Sequence, residues 1–441
     1  MTLERVAVVG LGYVGLSLAC ALASKGFRVI GLDKDHEKIK LIGEGFTPIY
    51  EEGLNDLLRE VLEEGNLKLT SNYEEMLDCS DICFICVGTP SRPDGDIDLG
   101  YLEDASRNIG RSLKKKGYYL IVVRSTVPPG TTINIVKKIV EEESGKSLKD
   151  YGLCFNPEFL REGRALQDIF NPDRIIIGCL DKGSGEALLR FYKSFHGDSM
   201  PPVLVTSPTN AELIKYANNA FLAMKISFIN MVSQLCQRLP GADVKVVAEG
   251  IGMDKRIGRE FLNAGLGWGG SCLPKDTKGL LKFGERLGVR LPIIEATIEV
   301  NDSQIANALS LAEKLVGNIS GKRIAVLGLA FKPGTDDIRE SRSIRLVEEL
   351  LKLGARVRVH DPKALEKAKE VLGEKVSYTL SIEECLQDAD LCILATDWEE
   401  YKVLRQEILE KIMKNPALLD CRRLYDPRDF ERVKFAAIGL G

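Results

Sequence analysis

The stretch Arg5-Val6-Ala7-Val8-Val9-Gly10-Leu11-Gly12-Tyr13-Val14-Gly15 decides the fold. Arg5 to Val9 reads as a buried strand, and three glycines follow at once in the spacing G-x-G-x-x-G. Gly10 permits a tight turn, Gly12 lets a pyrophosphate approach the backbone, and Gly15 lets the next helix pack closely on the strand. The helix runs to Lys25 and Gly26 caps it. A second strand, Phe27 to Leu32, ends in Asp33. A carboxylate there bonds the two ribose hydroxyls of a dinucleotide and repels a 2′-phosphate, which favours NAD over NADP. FAD stays open on this motif alone.

Working outward, Ile82 to Val87, Tyr119 to Val123, Gly152 to Phe155 and Arg174 to Ile177 also read as strands, several separated by helical patterns. Such alternation predicts a parallel sheet with helices on its faces. From Asn210 to about Arg238 no Pro or Gly intervenes and apolar residues recur at helical spacing, which predicts one long helix. Near Gly321 the first pattern returns. Arg323 to Ala330 echoes Arg5 to Gly12, Gly354 to Asp361 echoes Gly26 to Asp33, and Ala389 to Leu394 echoes Ser80 to Ile85. In this copy Ala330 replaces Gly12 and ten extra residues follow the turn, so its ligand contacts are expected to differ. The predicted fold class is α/β: two Rossmann-like parallel-sheet domains joined by a helical central domain with one long helix. The expected boundaries are 1–206, 207–315 and 316–441.

Composition narrows the function. In 441 residues, 60 Lys+Arg face 64 Asp+Glu, a net charge of −4. That argues against a nucleic-acid binder, which needs a basic surplus. The 11 cysteines are odd in number and scattered, which favours reduced thiols and a cytoplasmic address. His36, His196 and His360 lie too far apart to read as a zinc pair, so no metal is expected. Val6 to Ser24 is uncharged and resembles a signal peptide, but Glu4 beside Arg5, the glycine spacing and the internal repeat argue against that. No stretch is long and apolar enough to span a bilayer.

Several segments carry chemistry. Thr89 and Thr126 follow strands and are placed to line a cofactor crevice, or simply to cap turns. Glu158 and Glu162, four apart, share a face if they lie on a helical turn. Lys215 and Asn219 are also four apart, on the long helix among apolar residues, a plausible clamp for an oxyanion. Gly265-Leu266-Gly267-Trp268-Gly269-Gly270-Ser271-Cys272-Leu273-Pro274-Lys275-Asp276 is the most informative stretch. Its glycines are expected to bring backbone N–H groups near a ligand, and Lys275 favours the thiolate of Cys272. Cys83 and Cys86 lie on one strand with side chains on opposite faces, so they are not a redox pair. Lys114-Lys115-Lys116 reads as a solvated helix end.

Taken in order, GLGYVG, STVPPGT, NPEFLREG, KYANN, RIG, GGSC-x-x-KD and FKPGTDDIRES resemble the UDP-glucose/GDP-mannose dehydrogenase family over nearly the whole chain. The resemblance implies oxidation of a sugar C6 alcohol to a carboxylate with two NAD in succession and no metal. It assigns Cys272 as nucleophile, forming a thiohemiacetal and then a thioester. Lys215 and Asn219 become oxyanion donors. Asp276 with Thr126 holds a water for proton transfer, and Glu158 assists thioester hydrolysis. Gly10, Gly12, Tyr13, Val14, Gly15, Asp33, Lys38, Thr89, Thr126, Glu162, Lys275 and Arg339 match NAD contacts. Glu158, Phe159, Leu160, Lys215, Asn219, Asn263, Gly267, Gly269, Phe331 and Lys332 match nucleotide-sugar contacts. Arg256 resembles an arginine that reaches a neighbouring subunit's site, implying a homodimer or larger. Leu273 stands where UDP-glucose members commonly carry Phe and is familiar among GDP-mannose members. Asp420-Cys421-Arg422-Arg423 looks more like the UDP-glucose branch, and the Ser271-Cys272 pair argues against the N-acetyl-hexosamine branch. UDP-glucose is the preferred substrate, and GDP-mannose or another nucleotide sugar the alternative. Two rivals remain: a two-electron hydroxyacid-type dehydrogenase, which needs neither the cysteine nor the third domain, and a non-enzymatic NAD-responsive binding protein.

Overall fold

A computed structural model describes residues 4–441. It holds two compact units, one ending at Asn218 and the other beginning at Asn219. The first is built on eight strands: β1 (Arg5–Val9), β2 (Arg28–Leu32), β3 (Leu67–Thr70), β4 (Ile82–Ile85), β5 (Leu120–Val123), β6 (Gly152–Phe155), β7 (Ile175–Cys179) and β8 (Val203–Thr206). Their order in the sheet is β3-β2-β1-β4-β5-β6-β7-β8. Strand periodicity decides which residues each face buries. Val6, Val8 and Phe84 pack on one side with Leu16 and Phe191, while Ala7, Val9 and Ile85 pack on the other with Leu102 and Ile109. Cys83 and Cys86 fall on opposite sides, as the two-residue period requires.

Every neighbouring pair in this sheet is parallel except β6 and β7, which run antiparallel. A parallel return needs a crossover that carries the chain back along the sheet, usually on a helix. The segment between β6 and β7 holds only the six-residue helix Ala165–Phe170. The chain therefore re-enters from the end at which it left. Sequence reading located β7 but not its direction.

The second unit carries β9 (Arg323–Leu327), β10 (Arg356–His360), β11 (Ser377–Tyr378), β12 (Leu391–Leu394), β13 (Ala417–Asp420) and β14 (Lys434–Ala437). All are parallel, in the order β11-β10-β9-β12-β13-β14. This matches the first six strands of the other sheet, the doubly wound order of nucleotide-binding folds. Even the register agrees: Arg5 lies opposite Arg28, and Arg323 opposite Arg356. The echo in the sequence is thus a repeat of topology. Helices Val244–Gly252, Leu273–Arg286 and Pro292–Val316 precede this sheet. The long helix spans Pro208–Cys236, close to its predicted range. Among the described residues no helix is long and apolar enough to cross a membrane.

The fingerprint turn is held by backbone contact. Gly10 has φ +92°, a left-handed conformation that glycine adopts without strain. A Cβ on Gly15 would lie 1.8 Å from the Gly10 carbonyl oxygen, whereas one on Gly12 would meet nothing within 4 Å. Gly15→Ala is therefore expected to destabilise the protein by at least about 2 kcal/mol. Gly12→Ala should leave the thermal midpoint near that of the parent. Thermal unfolding of the two variants checks this contrast.

Candidate active site

In the first unit the glycine turn meets the carboxylate the sequence pointed to. The helix Tyr13–Ser24 starts at Gly12, so its N-terminal dipole faces the turn. Asp33 Oδ2 accepts from Leu11 N (2.9 Å) and Lys38 Nζ (2.9 Å), and Oδ1 accepts from Asp35 N (3.1 Å). Burial pushes the Asp33 carboxyl up, but these donors outweigh it and hold the group below its ordinary value. Thr89 Oγ1 donates to the Thr126 carbonyl (2.8 Å), which brings together the segments following β4 and β5. These residues fit NAD. Space is open at Gly12 for a pyrophosphate, a helix start faces it, and an ionised carboxylate ends the second strand.

The segment after β6 holds a buried ion pair. Lys215 Nζ donates to Glu158 Oε1 (2.9 Å) and to the Glu158 carbonyl (2.7 Å). The two side chains are 4% and 8% exposed, so both charges are shielded from bulk solvent. Burial pushes the Glu158 carboxyl up. The Lys215 ammonium, the Leu160 N–H (2.6 Å to Oε2) and the Arg124 charge outweigh it and hold the group below the usual carboxylate range. The Phe159 ring lies under Arg174 (3.9 Å) and Lys215 (5.2 Å). The helical turn expected to unite Glu158 and Glu162 is absent. Residues 156–161 are irregular and a turn follows at 162–163. Pro157 disfavours helix at Asn156, and the Glu158 carboxylate bonds Leu160 N two residues on, which competes with a helical bond. Glu51, which sequence reading missed, anchors that turn by accepting from Gly163 N (2.7 Å) and Ala165 N (2.6 Å). It also missed Arg124, whose signal was a charge directly after the apolar run of β5. Arg124 Nη1 donates to Asn156 Oδ1 (2.5 Å) and Tyr192 Oη (3.1 Å).

In the second unit Cys272 stands just before the helix Leu273–Arg286, and its carbonyl accepts from Asp276 N (2.9 Å). Ser271 Oγ lies 3.4 Å from its sulfur. Asp276 is 1% exposed. It accepts from Asn219 Nδ2 (2.6 Å) and Lys275 Nζ (2.5 Å). Asn219, Lys275, Asp276 and the cysteine backbone thus form one bonded cluster.

The glycines before Cys272 serve protein packing more than the sequence suggested. Gly265 N donates to Asn230 Oδ1 (2.8 Å), Trp268 N to Asn301 Oδ1 (2.7 Å) and Gly270 N to the Arg339 carbonyl (3.0 Å). A Cβ would fall 2.3 Å from the Glu340 oxygen at Gly269 and 2.7 Å from the Phe331 ring at Gly270. Side chains are excluded there because the inserted segment 331–340 lies against this loop. The same contact brings Phe331 and Arg339 to the loop. Lys332 lies 5.7 Å from the Phe331 ring. Arg339 pairs with Asp337 (2.5 Å). Asn263 accepts from Arg259 (2.8 Å), and the exposed Arg256 pairs with Asp254 (2.5 Å).

The second nucleotide-type turn is reworked. Asp361, the counterpart of Asp33, accepts at Oδ2 from Leu329 N (2.7 Å), Ala330 N (3.0 Å) and Trp398 Nε1 (3.1 Å), and at Oδ1 from Lys363 N (2.8 Å) and Ala364 N (2.8 Å). Those five donors commit both oxygens within the protein, against three donors at Asp33. The next helix, Arg342–Lys352, starts only after the inserted segment.

An intact dinucleotide turn beside an ionised carboxylate in one unit, and a copy of the same topology in the other, mark an NAD-binding protein with two nucleotide-type folds. Comparison with known proteins makes this specific. Sequence profiles of the UDP-glucose/GDP-mannose dehydrogenase family match throughout: the NAD binding domain at residues 4–196, the central domain at 209–303 and the UDP binding domain at 325–427. The chain is 39% identical to the UDP-glucose 6-dehydrogenase TuaD of Bacillus subtilis, over 100% of this chain and 93% of that protein. A solved UDP-glucose dehydrogenase from Pyrobaculum islandicum superposes with a TM-score of 0.92 at 42% identity, covering 99% of this chain and 98% of that one. A UDP-D-ManNAc dehydrogenase from Pyrococcus horikoshii gives 0.87 at 31% identity, covering 99% of each chain. The chain belongs to the UDP-glucose/GDP-mannose dehydrogenase family and is an NAD-dependent nucleotide-sugar dehydrogenase. That membership removes the hydroxyacid-type and non-enzymatic readings.

The buried pair sets a pH dependence. Glu158 titrates lower in the folded chain than an unfolded glutamate, whose value is roughly 4.3. Its contribution to stability is therefore complete above that value and is lost as pH falls through the native one. Glu158→Gln is expected to unfold with a shallower loss of stability in acid, measured by denaturant titration across the acidic range. Lys215→Met leaves the carboxylate buried without its counter-ion and should cost about 3–5 kcal/mol.

Proposed function

We propose that the chain oxidises UDP-glucose at C6 to UDP-glucuronate, with Cys272 carrying the half-oxidised carbon. The observation that carries this reading is the setting of Cys272. It is partly exposed at a helix start and joined through Asp276 to Asn219 and Lys275. By contrast, Cys20, Cys83, Cys86 and Cys385 are buried, with thiols pushed up to about 12 by burial. A helix N-terminus favours negative charge developing on the sulfur.

NAD, when bound, supplies the hydride acceptor, one molecule for each of two oxidations. The C6 alcohol loses a hydride from carbon and a proton from oxygen, the proton passing toward Asp276 and Thr126 through water. The Cys272 sulfur adds to the aldehyde carbon, and its proton goes to the aldehyde oxygen, giving a thiohemiacetal. Lys215 and Asn219 donate to that oxygen. Loss of a second hydride and the hydroxyl proton gives a thioester. Glu158 takes a proton from water, the water oxygen bonds to the carbonyl carbon, the carbon–sulfur bond breaks and the sulfur regains a proton. The covalent link splits a four-electron oxidation and retains the aldehyde.

In the proposed division, residues 1–206 bind NAD, 207–315 carry the long helix and the cysteine loop, and 316–441 bind the nucleotide of the sugar. Lys38, Thr89, Glu162, Lys275 and Arg339 are assigned to NAD. Phe159, Leu160, Asn263, Gly267, Phe331 and Lys332 are assigned to the nucleotide sugar, with Gly269 beside them. GDP-mannose is the second reading, on the ground of Leu273. Eleven free thiols support a cytoplasmic setting.

We read the protein as a homodimer or larger. Phe221, Phe228 and Leu235 recur every seven residues on the long helix, with Met231 on the same stripe, and are 57%, 47%, 60% and 45% exposed. An apolar seam of this kind fits a second copy of the chain.

Incubation with UDP-glucose should yield two NADH per uronate, and GDP-mannose should be turned over far more slowly. A ratio of one would remove the thioester route. Cys272→Ser should stop before the acid is formed, and full turnover by that variant would contradict its role. Phe228→Glu should shift the sedimentation coefficient toward that of a monomer, and an unchanged value would place the subunit contact elsewhere.

A further inference from the structure

A cavity of about 60 Å³ lies in the first unit, lined in part by Arg124, Asn156, Glu158 and Tyr192. Arg124 is only 7% exposed. Both groups bonded to its Nη1 are neutral: Asn156 is an amide, and burial raises the Tyr192 phenol above its ordinary value. Tyr192 Oη in turn donates to Asn156 Oδ1 (2.5 Å), and Asn156 Nδ2 to the Ile176 carbonyl (2.8 Å), so the frame around the guanidinium is fixed. Arg124 Nε is buried with no hydrogen-bond partner. A buried cation held only by neutral groups is costly unless an anion answers it nearby. Glu158 is the carboxylate in the same cavity that feels its charge, and Glu158 makes its own bonds to Lys215 and Leu160 N. Glu158 therefore meets two cations, Lys215 by direct contact and Arg124 through its charge.

The other groups around the cavity do not play this part. Arg161 pairs with Asp168 (2.6 Å), and Arg174 bonds Asn218 (2.7 Å) and lies on the Phe159 ring. Asp173 is exposed. Burial lowers the value of His196 and pushes the Cys86 thiol up to about 12, so both favour the neutral form.

The second cation has a use in the proposed cycle. Lys215 is Glu158's counter-ion here, yet it is also the donor assigned to the oxygen on the reacting carbon. When its ammonium turns to that oxygen, Glu158 loses its contact partner. A buried carboxylate without a counter-charge takes up a proton and ceases to be a base. We infer that Arg124 is a positioning residue that keeps Glu158 a carboxylate while Lys215 serves the substrate oxygen. The inference rests on Glu158 acting in thioester hydrolysis as proposed above.

The test compares wild type, Arg124→Met and Arg124→Lys by following NADH release after mixing with UDP-glucose and NAD, over roughly pH 5 to 9. Removing the cation raises the pH at which Glu158 protonates. Arg124→Met should keep the rapid first phase of NADH release. The acid limb of its slow hydrolytic phase should move up by about one pH unit. Arg124→Lys should return that limb close to wild type. A superimposable profile for Arg124→Met, or a lysine variant as shifted as the methionine one, overturns the inference. Should Arg124→Met fail to fold, Arg124→Gln, which keeps a donor for Asn156, is read in the same way. Wild type giving one NADH per product removes the thioester reading and this inference with it. Two NADH with an unshifted Arg124→Met profile removes only the role of Arg124.

Discussion

The buried contact between Lys215 and Glu158 is the interaction on which the proposed chemistry rests. Both side chains are buried, and each charge lies directly against the other. The pair ties the irregular segment after β6 to the first turns of the long helix. It also holds the carboxylate toward its charged form beside an ammonium, the two groups that the proposed hydrolytic step and oxyanion use. Asn219, one helical turn beyond Lys215, belongs to a different bonded cluster, with Asp276 and Lys275. One helix thus contributes to both sets of polar groups.

The two sheets show how one topology is put to two uses. Both share a strand order and a register, and both place an aspartate after the second strand. In the first copy that aspartate lies beside an open glycine turn and a helix start. In the second, four backbone N–H groups and the Trp398 indole take up its oxygens, and the helix start is displaced by the inserted segment. The inserted segment instead lies against the cysteine loop.

Much of this was legible in the sequence because it is local. The glycine spacing, the strand before it and the carboxylate after the second strand specify a βαβ unit within thirty residues. The long helix follows from an uninterrupted periodic stretch, and the repeat follows from direct comparison of two segments. What stayed hidden depends on distant partners. The reversal of β7 is set by a short connection whose path no periodicity records. The glycines of the cysteine loop were read as making room for a ligand, but Glu340, Phe331 and Asn301 occupy that room. Glu158 and Glu162 have helical spacing without a helix, since Pro157 and a side-chain bond to Leu160 N prevent it. Arg124 is one arginine among many until the fold shows it buried beside Asn156 and Tyr192.

The central claim is that the sugar carbon becomes bonded to the sulfur of Cys272. Its most direct test is peptide mapping by mass spectrometry of enzyme quenched in acid during turnover with UDP-glucose and NAD. A uronyl adduct is expected on the peptide that carries Cys272, disappearing as substrate is exhausted. An unmodified Cys272 peptide throughout turnover, or an adduct on another cysteine, would contradict it.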